Sequence, residues 1–232
     1  MSAFADKAIA FFQSLRFPAR LPKSIAVMNP YQDEAIFQIV KTFFQRFYAD
    51  ENPRVFLWGV NPGRFGGGVT GIPFTDPFAL SHVLGIEHRL SGKRELSSEF
   101  IYQVVEKWGG AKRFYSQFYV NSLSPLGFTR LGKNYNFYDD PRLLKLAEPF
   151  VVKSVWAQID FGARRDAAVC LGTGKLYDVF SRLNDEHRFF ERIVPLEHPR
   201  FIMQYRRKRV AEFVEKYAET LSRLTTSSSI RS

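Results

Sequence analysis

Four short apolar segments alternate with longer amphipathic ones, and this alternation constrains the fold more than any other feature of the chain. The apolar segments are rich in β-branched and aromatic residues, which is typical of buried strands; they cover residues 54–60, 118–121, 167–171 and 192–196. Apolar residues recur at helical spacing between them, at residues 4–16, 34–48, 98–107, 141–158 and 207–224. Strands that alternate with helices build a parallel sheet covered on both faces. We therefore predict an α/β fold of three layers, α/β/α, around a central, mostly parallel four-stranded sheet.

The length of the chain fits one domain better than two. It has 232 residues, of which 45% are hydrophobic, so it can bury a core of its own. We predict a single domain over residues 1–224. The remaining residues, 225–232, have the polar sequence TTSSSIRS and are expected to form a disordered tail.

Cysteine content and hydropathy exclude several classes of protein. The single cysteine excludes a disulfide framework and an all-cysteine metal or iron–sulfur cluster within the chain. Charges interrupt the apolar runs well short of the ~20 residues that a membrane span needs. Residues 1–15 are expected to form an amphipathic helix rather than a signal peptide. We expect a cytoplasmic bacterial protein that uses no metal or other cofactor and binds no membrane.

The charge of the chain favours an anionic partner. Lysine and arginine number 33 against 23 acidic residues, a formal net charge of +10. Nucleic acid is the first partner to consider for such a chain. Four basic residues stand together at 206–209, shortly after a His-Pro-Arg sequence at 198–200. This block is interpreted either as the solvated start of a helix or as a surface that grips phosphates beside a site.

A glycine-rich segment directly follows the first predicted strand. Residues 59–74 read GVNPGRFGGGVTGIPF. Glycines permit positive φ and let backbone N–H groups approach a ligand closely. The phosphate-loop pattern G-x-x-x-x-G-K-[ST] is absent, and the alternative of a flexible surface loop stays open. Asn61 at the strand end and Phe74 further along favour a built pocket.

Two more polar segments end predicted strands. Residues 196–200 read LEHPR and place His198 at a strand end, where a neutral imidazole can donate to a developing anion. Residues 119–126 read YVNSLSPL, and the Asn121 amide can both donate to and accept from the edge of a base. A structural histidine and an ordinary cap or turn asparagine are the alternatives. Asp76 is either a second carboxylate near an attacking water or a loop cap.

Together these segments resemble the uracil-DNA glycosylase superfamily, most closely its single-strand-selective, SMUG-type branch and a bacterial subgroup called SMUG2-like. Residues 59–74 are similar to the family's G-M-N-P-G-P-F-G-M-x-x-T-G-V-P-F, with the same spacing from Asn61 to Phe74. Residues 119–126 are similar to F-V-x-N-x-x-P-L, and 169–175 (VCLGTGK) to V-G-V-G-[RK]. Residues 196–200 are similar to the start of H-P-S-P-R. The match runs from about residue 55 to residue 200, most of the chain.

The resemblance implies a monofunctional DNA glycosylase that excises uracil, and other deaminated bases such as xanthine, to initiate base excision repair. Asn61 would position the attacking water, and His198 would support negative charge on the base O2. Phe74 would stack on the flipped base, and Asn121 would pair with the uracil edge. Backbone N–H groups from Gly63 to Phe65 would bind the base or the 3′ phosphate.

The partner implied by the resemblance is DNA, single- or double-stranded, bound by a monomeric protein. The sequence departs from the family after His198 and at Gly67, where the family has a methionine that shapes the space near the base C5. The preferred base therefore stays open. A wedge side chain must fill the vacated base stack. The candidates for the wedge and for phosphate contacts are Arg200, Phe201, Tyr205, Arg206, Arg207 and Lys208.

Three alternatives to an active uracil glycosylase stay open. A nucleic-acid-binding relative that has lost catalysis is disfavoured because both Asn61 and His198 are present. A small-molecule α/β enzyme, similar to a nucleoside hydrolase or a nucleotide-binding protein, is disfavoured by the basic block and by the missing phosphate motifs. A glycosylase whose main substrate is not uracil is the third alternative.

Overall fold

The computed structural model describes residues 3–226. Its strands are β1 (Ile25–Met28), β2 (Arg54–Gly59), β3 (Phe118–Ser122), β4 (Gly127–Arg130), β5 (Lys133–Tyr135), β6 (Ala163–Leu171) and β7 (Ile193–Leu196). Its helices are α1 (Phe4–Ser14), α2 (Glu34–Phe47), α3 (Gly67–Thr70), α4 (Pro77–His82), α5 (Leu96–Lys107), α6 (Ala111–Tyr115), α7 (Pro141–Ile159), α8 (Lys175–His187), α9 (Pro199–Tyr205) and α10 (Val210–Thr226). Short 3₁₀ turns occupy Pro30–Gln32 and Arg207–Arg209.

The central sheet has four parallel strands in the order β3-β2-β6-β7. These are the four strands predicted from the sequence, and the predicted three-layer α/β fold is confirmed. All residues of β2 and β3 are buried, as expected for strands covered on both faces. Because every strand runs in the same direction, the four carboxyl ends meet at one edge of the sheet.

Helices cover both faces of this sheet. On one face, the Phe56 and Tyr119 rings pack with 4.6 Å between centroids, and Phe4 of α1 meets Tyr119 at 5.2 Å. Trp58 on the same face meets Phe180 of α8 at 6.1 Å. On the opposite face, the ring of Phe118 in β3 meets that of Phe114 in α6, with 4.9 Å between centroids. Side chains of neighbouring strand residues thus point to opposite helix layers, which decides which of them can reach a site.

A second, antiparallel sheet has three strands in the order β1-β4-β5 and was not predicted from the sequence. Its strands are three or four residues long. Leu131 and Gly132 join β4 to β5, with φ of 49° and 71°. Positive φ at both turn residues matches the right-handed twist of a two-residue hairpin. The hairpin sends the next segment of chain past the carboxyl edge of the central sheet.

The C-terminal boundary differs from the prediction. Helix α10 continues to Thr226, so residues 225 and 226 are helical rather than part of a tail. Residues 227–232 lie outside the described residues. The helix also begins later than predicted, because residues 207–209 form a 3₁₀ turn before Val210. Between residues 3 and 226, no helix is long and apolar enough to cross a membrane.

Candidate active site

A cavity of about 510 Å³ opens at the carboxyl edge of the central sheet. Each strand end contributes to its lining: Asn61 follows β2, Ser122 closes β3, Gly172 follows β6 and His198 follows β7. The cavity brings together six residues that the sequence singled out as a site: Asn61, Gly63, Phe74, His198, Arg200 and Phe201. No three His, Cys, Asp or Glu side chains converge as metal ligands within the described range, 3–226.

Two backbone groups, one at the end of the hairpin and one just beyond it, fix the side chain of Asn61. Its Oδ1 accepts the Phe137 N–H at 3.1 Å, and its Nδ2 donates to the Tyr135 carbonyl at 3.3 Å. The second sheet therefore orients this amide. Nδ2 also makes a long contact to the Pro62 carbonyl at 3.5 Å, whereas Oδ1 keeps a second lone pair for a ligand in the cavity.

Phe74 lies in a strained backbone conformation, with φ of 54°. The Thr70 hydroxyl holds the turn by donating to the Thr75 carbonyl at 2.8 Å. The Phe74 ring rests directly on strand β2, because a Cβ added to Gly59 would lie 2.6 Å from Phe74 Cζ. Its centroid is 6.2 Å from that of His198. The ring therefore forms one apolar wall of the cavity.

His198 is held as a neutral hydrogen-bond donor. It is the N-cap of α9, and its Nδ1 accepts the Arg200 N–H at 3.1 Å. In the neutral ring the proton is therefore on Nε2. Burial, and secondarily the charge of Arg200, lowers the pKa of His198 to about 4. At pH 7 the uncharged ring can donate to an anion without bearing charge itself.

The structure corrects the role predicted for Asn121. This side chain is fully buried, points into the helix layer and does not line the cavity. Its Nδ2 donates to the Tyr119 hydroxyl at 2.6 Å and also to Gln158, and its Oδ1 accepts the Ser122 N–H at 2.8 Å. Because successive side chains of a strand point to opposite faces, the next residue, Ser122, lines the cavity instead of Asn121. In the motif F-V-x-N-x-x-P-L, counted back from Pro125, the asparagine position falls on Ser122.

The glycine-rich loop after β2 contributes less than predicted. Gly63 lines the cavity, but Phe65 lies outside it, with the Arg64 guanidinium 4.5 Å from its ring centroid. The Arg64 N–H already donates to Asn134 Oδ1 at 3.0 Å. A Cβ on Gly67 would lie 3.3 Å from the Ile72 carbonyl oxygen, so the larger side chain of the family motif would need a shift of the loop.

Glu95 is a cavity residue that sequence reasoning missed. It lies in a polar segment, GKRELSSE, that carries no periodic or motif signal. Burial, and secondarily the charge of Asp76, raises the pKa of Glu95 to about 7, while Arg200 opposes the rise. Asp76 itself is a loop cap, because its two carboxylate oxygens accept the N–H groups of Ala79 and Glu95, both at 2.8 Å. This geometry leaves Asp76 without an oxygen directed at the cavity.

Helix α9 forms one rim of the cavity. Arg200 and Phe201 line it, and the Phe201 ring is 40% exposed. Tyr205 is 61% exposed, with its ring centroid 5.5 Å from that of Phe201. Arg206 places its guanidinium 5.2 Å from the Phe201 centroid. Arg207 and Lys208 are exposed beyond the helix and do not line the cavity.

Lys175 provides a basic group on the opposite rim. It begins α8, and its ammonium lies 5.3 Å from the centroid of the Tyr138 ring. Both residues line the cavity. The mouth of the cavity is thus flanked by cations on α8 and α9, an arrangement suited to a phosphate backbone.

A cavity at the carboxyl edge of a parallel sheet, with a histidine, an aromatic wall and a basic mouth, fits the class of α/β enzymes that bind an anionic ligand at the strand ends. The model of the uracil DNA glycosylase superfamily matches residues 46–222, and the chain belongs to this superfamily. It is similar to the crystal structure of wild-type SMUG2 from Pedobacter heparinus, with 41% identity and a TM-score of 0.94. The match covers 97% of this chain and 100% of that chain, which confirms the SMUG2-like resemblance. No curated protein matches the chain.

Proposed function

We propose that this chain is a monofunctional DNA glycosylase that excises uracil, and other deaminated bases such as xanthine, by water attack at C1′. The observation that carries the proposal is the meeting of Asn61, Phe74 and the neutral ring of His198 in one cavity. Breaking the N-glycosidic bond leaves an oxocarbenium-like sugar and an anionic base. Stabilising that anion and placing one water are the two tasks of the site.

His198 takes the first task. Its Nε2 proton is available to an oxygen of the departing base, since Nδ1 is occupied by the Arg200 N–H. A preorganised donor in a site that excludes water typically accelerates such a step by about 100- to 1,000-fold. A neutral donor is suited to stabilising the departing base, because its hydrogen bond becomes stronger as negative charge develops on the base oxygen.

Asn61 and Ser122 take the positioning roles. The amide of Asn61, held by the Tyr135 carbonyl and the Phe137 N–H, offers its free lone pair to the attacking water. The Ser122 hydroxyl can donate to or accept from the base edge, in the place first predicted for Asn121. Phe74 stacks on the base.

Entry of the base requires that it leave the DNA stack, which costs a few kcal/mol. We propose that Phe201 is the wedge that occupies the vacated stack, because it combines a position at the cavity rim with a ring that is 40% exposed. Arg200, Arg206, Arg207 and Lys208 would contact phosphates, and Tyr205 would extend the apolar surface beside Phe201. A monomer suffices for this arrangement.

The proposal is tested by incubating the protein with oligonucleotides that carry uracil in single strands, opposite G and opposite A. Cleavage only after hot alkali is expected, since water rather than an amine attacks C1′. Borohydride should trap no covalent complex, even though Lys175 lies at the cavity. A trapped complex would replace the monofunctional mechanism with a Schiff-base one. Intact strands with uracil, xanthine and hypoxanthine alike would contradict the proposal.

A further inference from the structure

Glu95 is a titratable side chain in the cavity that none of the steps above uses. It directly precedes α5 and is half-buried. Its backbone N–H donates to Asp76 Oδ2 at 2.8 Å. Within residues 3–226, however, no donor hydrogen-bonds its carboxylate. Its oxygens are therefore open to the cavity rather than held by the protein.

The carboxylate lies against the loop that follows Asn61. A Cβ added to Gly63 would be 3.2 Å from Glu95 Oε1, and one added to Gly66 would be 1.9 Å from Oε2. The same Gly63 Cβ would lie 3.4 Å from Asn134 Nδ2. Since residue 63 has no side chain, Glu95 faces the cavity directly at this corner rather than being screened by the loop.

The charges around Glu95 come from three elements. Asp76, which caps α4, raises the pKa of Glu95, and Arg200 at the start of α9 lowers it. The guanidinium of Arg64, on the glycine-rich loop, is directed away to the Gly132 carbonyl and the Phe65 ring. Across the cavity stand Tyr138, Lys175 and His198, of which His198 is neutral above a pKa of about 4. Burial, the largest cause, and Asp76 outweigh Arg200, so the pKa of Glu95 is about 7.

We propose that Glu95 is the general acid of base excision and delivers a proton to the departing base; this inference rests on the proposed glycosylase function. As the C1′–N bond breaks, its electron pair goes to the base. The carboxyl O–H bond breaks and its proton moves to a nitrogen or oxygen of that base. Water bonds to C1′ through its oxygen and gives up a proton, which restores the Glu95 carboxyl. His198 stabilises the negative charge that develops on the base before this proton arrives, so the base leaves neutral, and one water is consumed.

Other groups in the cavity are less suited to this transfer. The neutral imidazole of His198 can donate a hydrogen bond, but losing its last proton is far too costly near pH 7. Burial raises the pKa of Tyr138 to about 12. The Asn61 amide does not titrate. Among the described lining residues, Glu95 is therefore suited to give up a proton at neutral pH and to take one back.

The test compares wild-type protein with Glu95→Gln in single-turnover excision of uracil from single-stranded DNA between pH 5.5 and 9. The wild-type rate constant should be level below about pH 7 and then fall by about tenfold per pH unit as the carboxyl ionises. Glu95→Gln keeps the shape of the side chain but has no proton to transfer. It should be slower by about 100-fold at pH 6.5, with no decline toward high pH.

Two further variants separate catalysis from structure. Glu95→Asp retains a titratable carboxyl, so it should keep the decline at high pH even with a lower rate. Glu99→Gln makes the same substitution one turn along α5, outside this cavity, and should match wild type. Affinity for uracil-containing DNA should change less than threefold in Glu95→Gln, which shows that the fold and the DNA surface are intact.

Each outcome of these measurements either supports or overturns the role of Glu95. A Glu95→Gln rate equal to wild type, or a slow variant that still loses activity above pH 7, would overturn the role of Glu95 while leaving the glycosylase function standing. A wild-type rate that is level across the whole range would do the same. If the wild-type protein released no base at any pH, the proposed function itself would fail, and this inference with it.

Discussion

Asn61 and His198 are each oriented by backbone groups, so their roles can be removed without dismantling the cavity. Asn61→Ala and His198→Ala should each reduce the single-turnover rate of excision by about 100- to 1,000-fold, since each removes one stabilising contact of the transition state. Binding to uracil-containing DNA should stay within a few-fold of wild type. His82→Ala, an exposed histidine on α4, is the matched control. Near-normal turnover in both variants would mean that the site is assigned wrongly.

Glu95 also has a consequence for stability. Its pKa is about 7 in the folded protein and near 4.5 in an unfolded chain, so the folded state holds the proton more tightly. The free energy of unfolding should therefore decrease as pH rises from about 4.5 to 7, by at most about 3 kcal/mol. Glu95→Gln removes this effect. Its thermal midpoint, relative to wild type, should be higher at pH 8 than at pH 5, and an equal difference at both pH values would contradict the shifted pKa.

The strand-end segment 119–126 is where the prediction from the sequence failed for an individual residue. The sequence correctly places segment 119–126 at a strand end, but it predicts Asn121 as the residue that pairs with the base because of the chemistry of its amide. A shift of one residue along a strand exchanges the two faces of the sheet. The buried amide of Asn121 is accounted for by its hydrogen bonds to Tyr119 and Gln158 in the helix layer, and it does not face a ligand. Periodicity within one strand could not reveal which face carried the cavity.

At the scale of elements, the central sheet could be predicted and the small sheet could not. Strands β2, β3, β6 and β7 are apolar runs that each end in a distinctive polar segment. Strands β1, β4 and β5 are short and partly exposed, and β1 pairs with a strand about 100 residues away. Pairing over such a distance leaves no local pattern. The fold class was therefore predictable, whereas the hairpin that orients Asn61 was not.

Strand β2 and the Phe74 turn are coupled through Gly59. Gly59→Ala would place a Cβ 2.6 Å from Phe74 Cζ, so the ring must move. We expect a loss of about 1–3 kcal/mol in the free energy of unfolding, together with slower excision, because the stacking wall is displaced. Adding Phe74→Leu to Gly59→Ala should recover most of the stability, since the smaller side chain relieves the contact. Additive losses in a double-mutant cycle measured by urea unfolding would refute the coupling.

At the scale of the whole molecule, the chain carries a net charge of +10, and part of its basic surface lies beside the cavity mouth. Exposed Arg206, Arg207 and Lys208 follow α9, beside the cavity mouth. Phosphate contacts release counterions, so affinity for DNA should fall steeply with salt. This surface would hold any sequence equally, while the cavity selects the base.

Replacing Arg206 and Arg207 together by alanine should weaken binding to all DNA sequences and reduce the slope of log K against log[salt] by up to about 2. Lys112→Ala with Arg113→Ala is the matched control. Both residues are exposed on α6, which leads into the amino end of β3, away from the cavity. Fluorescence anisotropy at several salt concentrations measures the slope. An unchanged slope when Arg206 and Arg207 are both replaced by alanine would show that this basic block does not contact DNA.

The most direct measurement of the central claim is the release of free base from uracil-containing single-stranded DNA, quantified by mass spectrometry alongside alkali-labile sites in the same sample. The account predicts one free uracil for each alkali-labile site with the wild-type protein. It also predicts at least about 100-fold slower release with Asn61→Ala. DNA that is bound but yields neither free base nor alkali-labile sites, with uracil or any other deaminated base, would contradict it and leave a protein that only binds DNA.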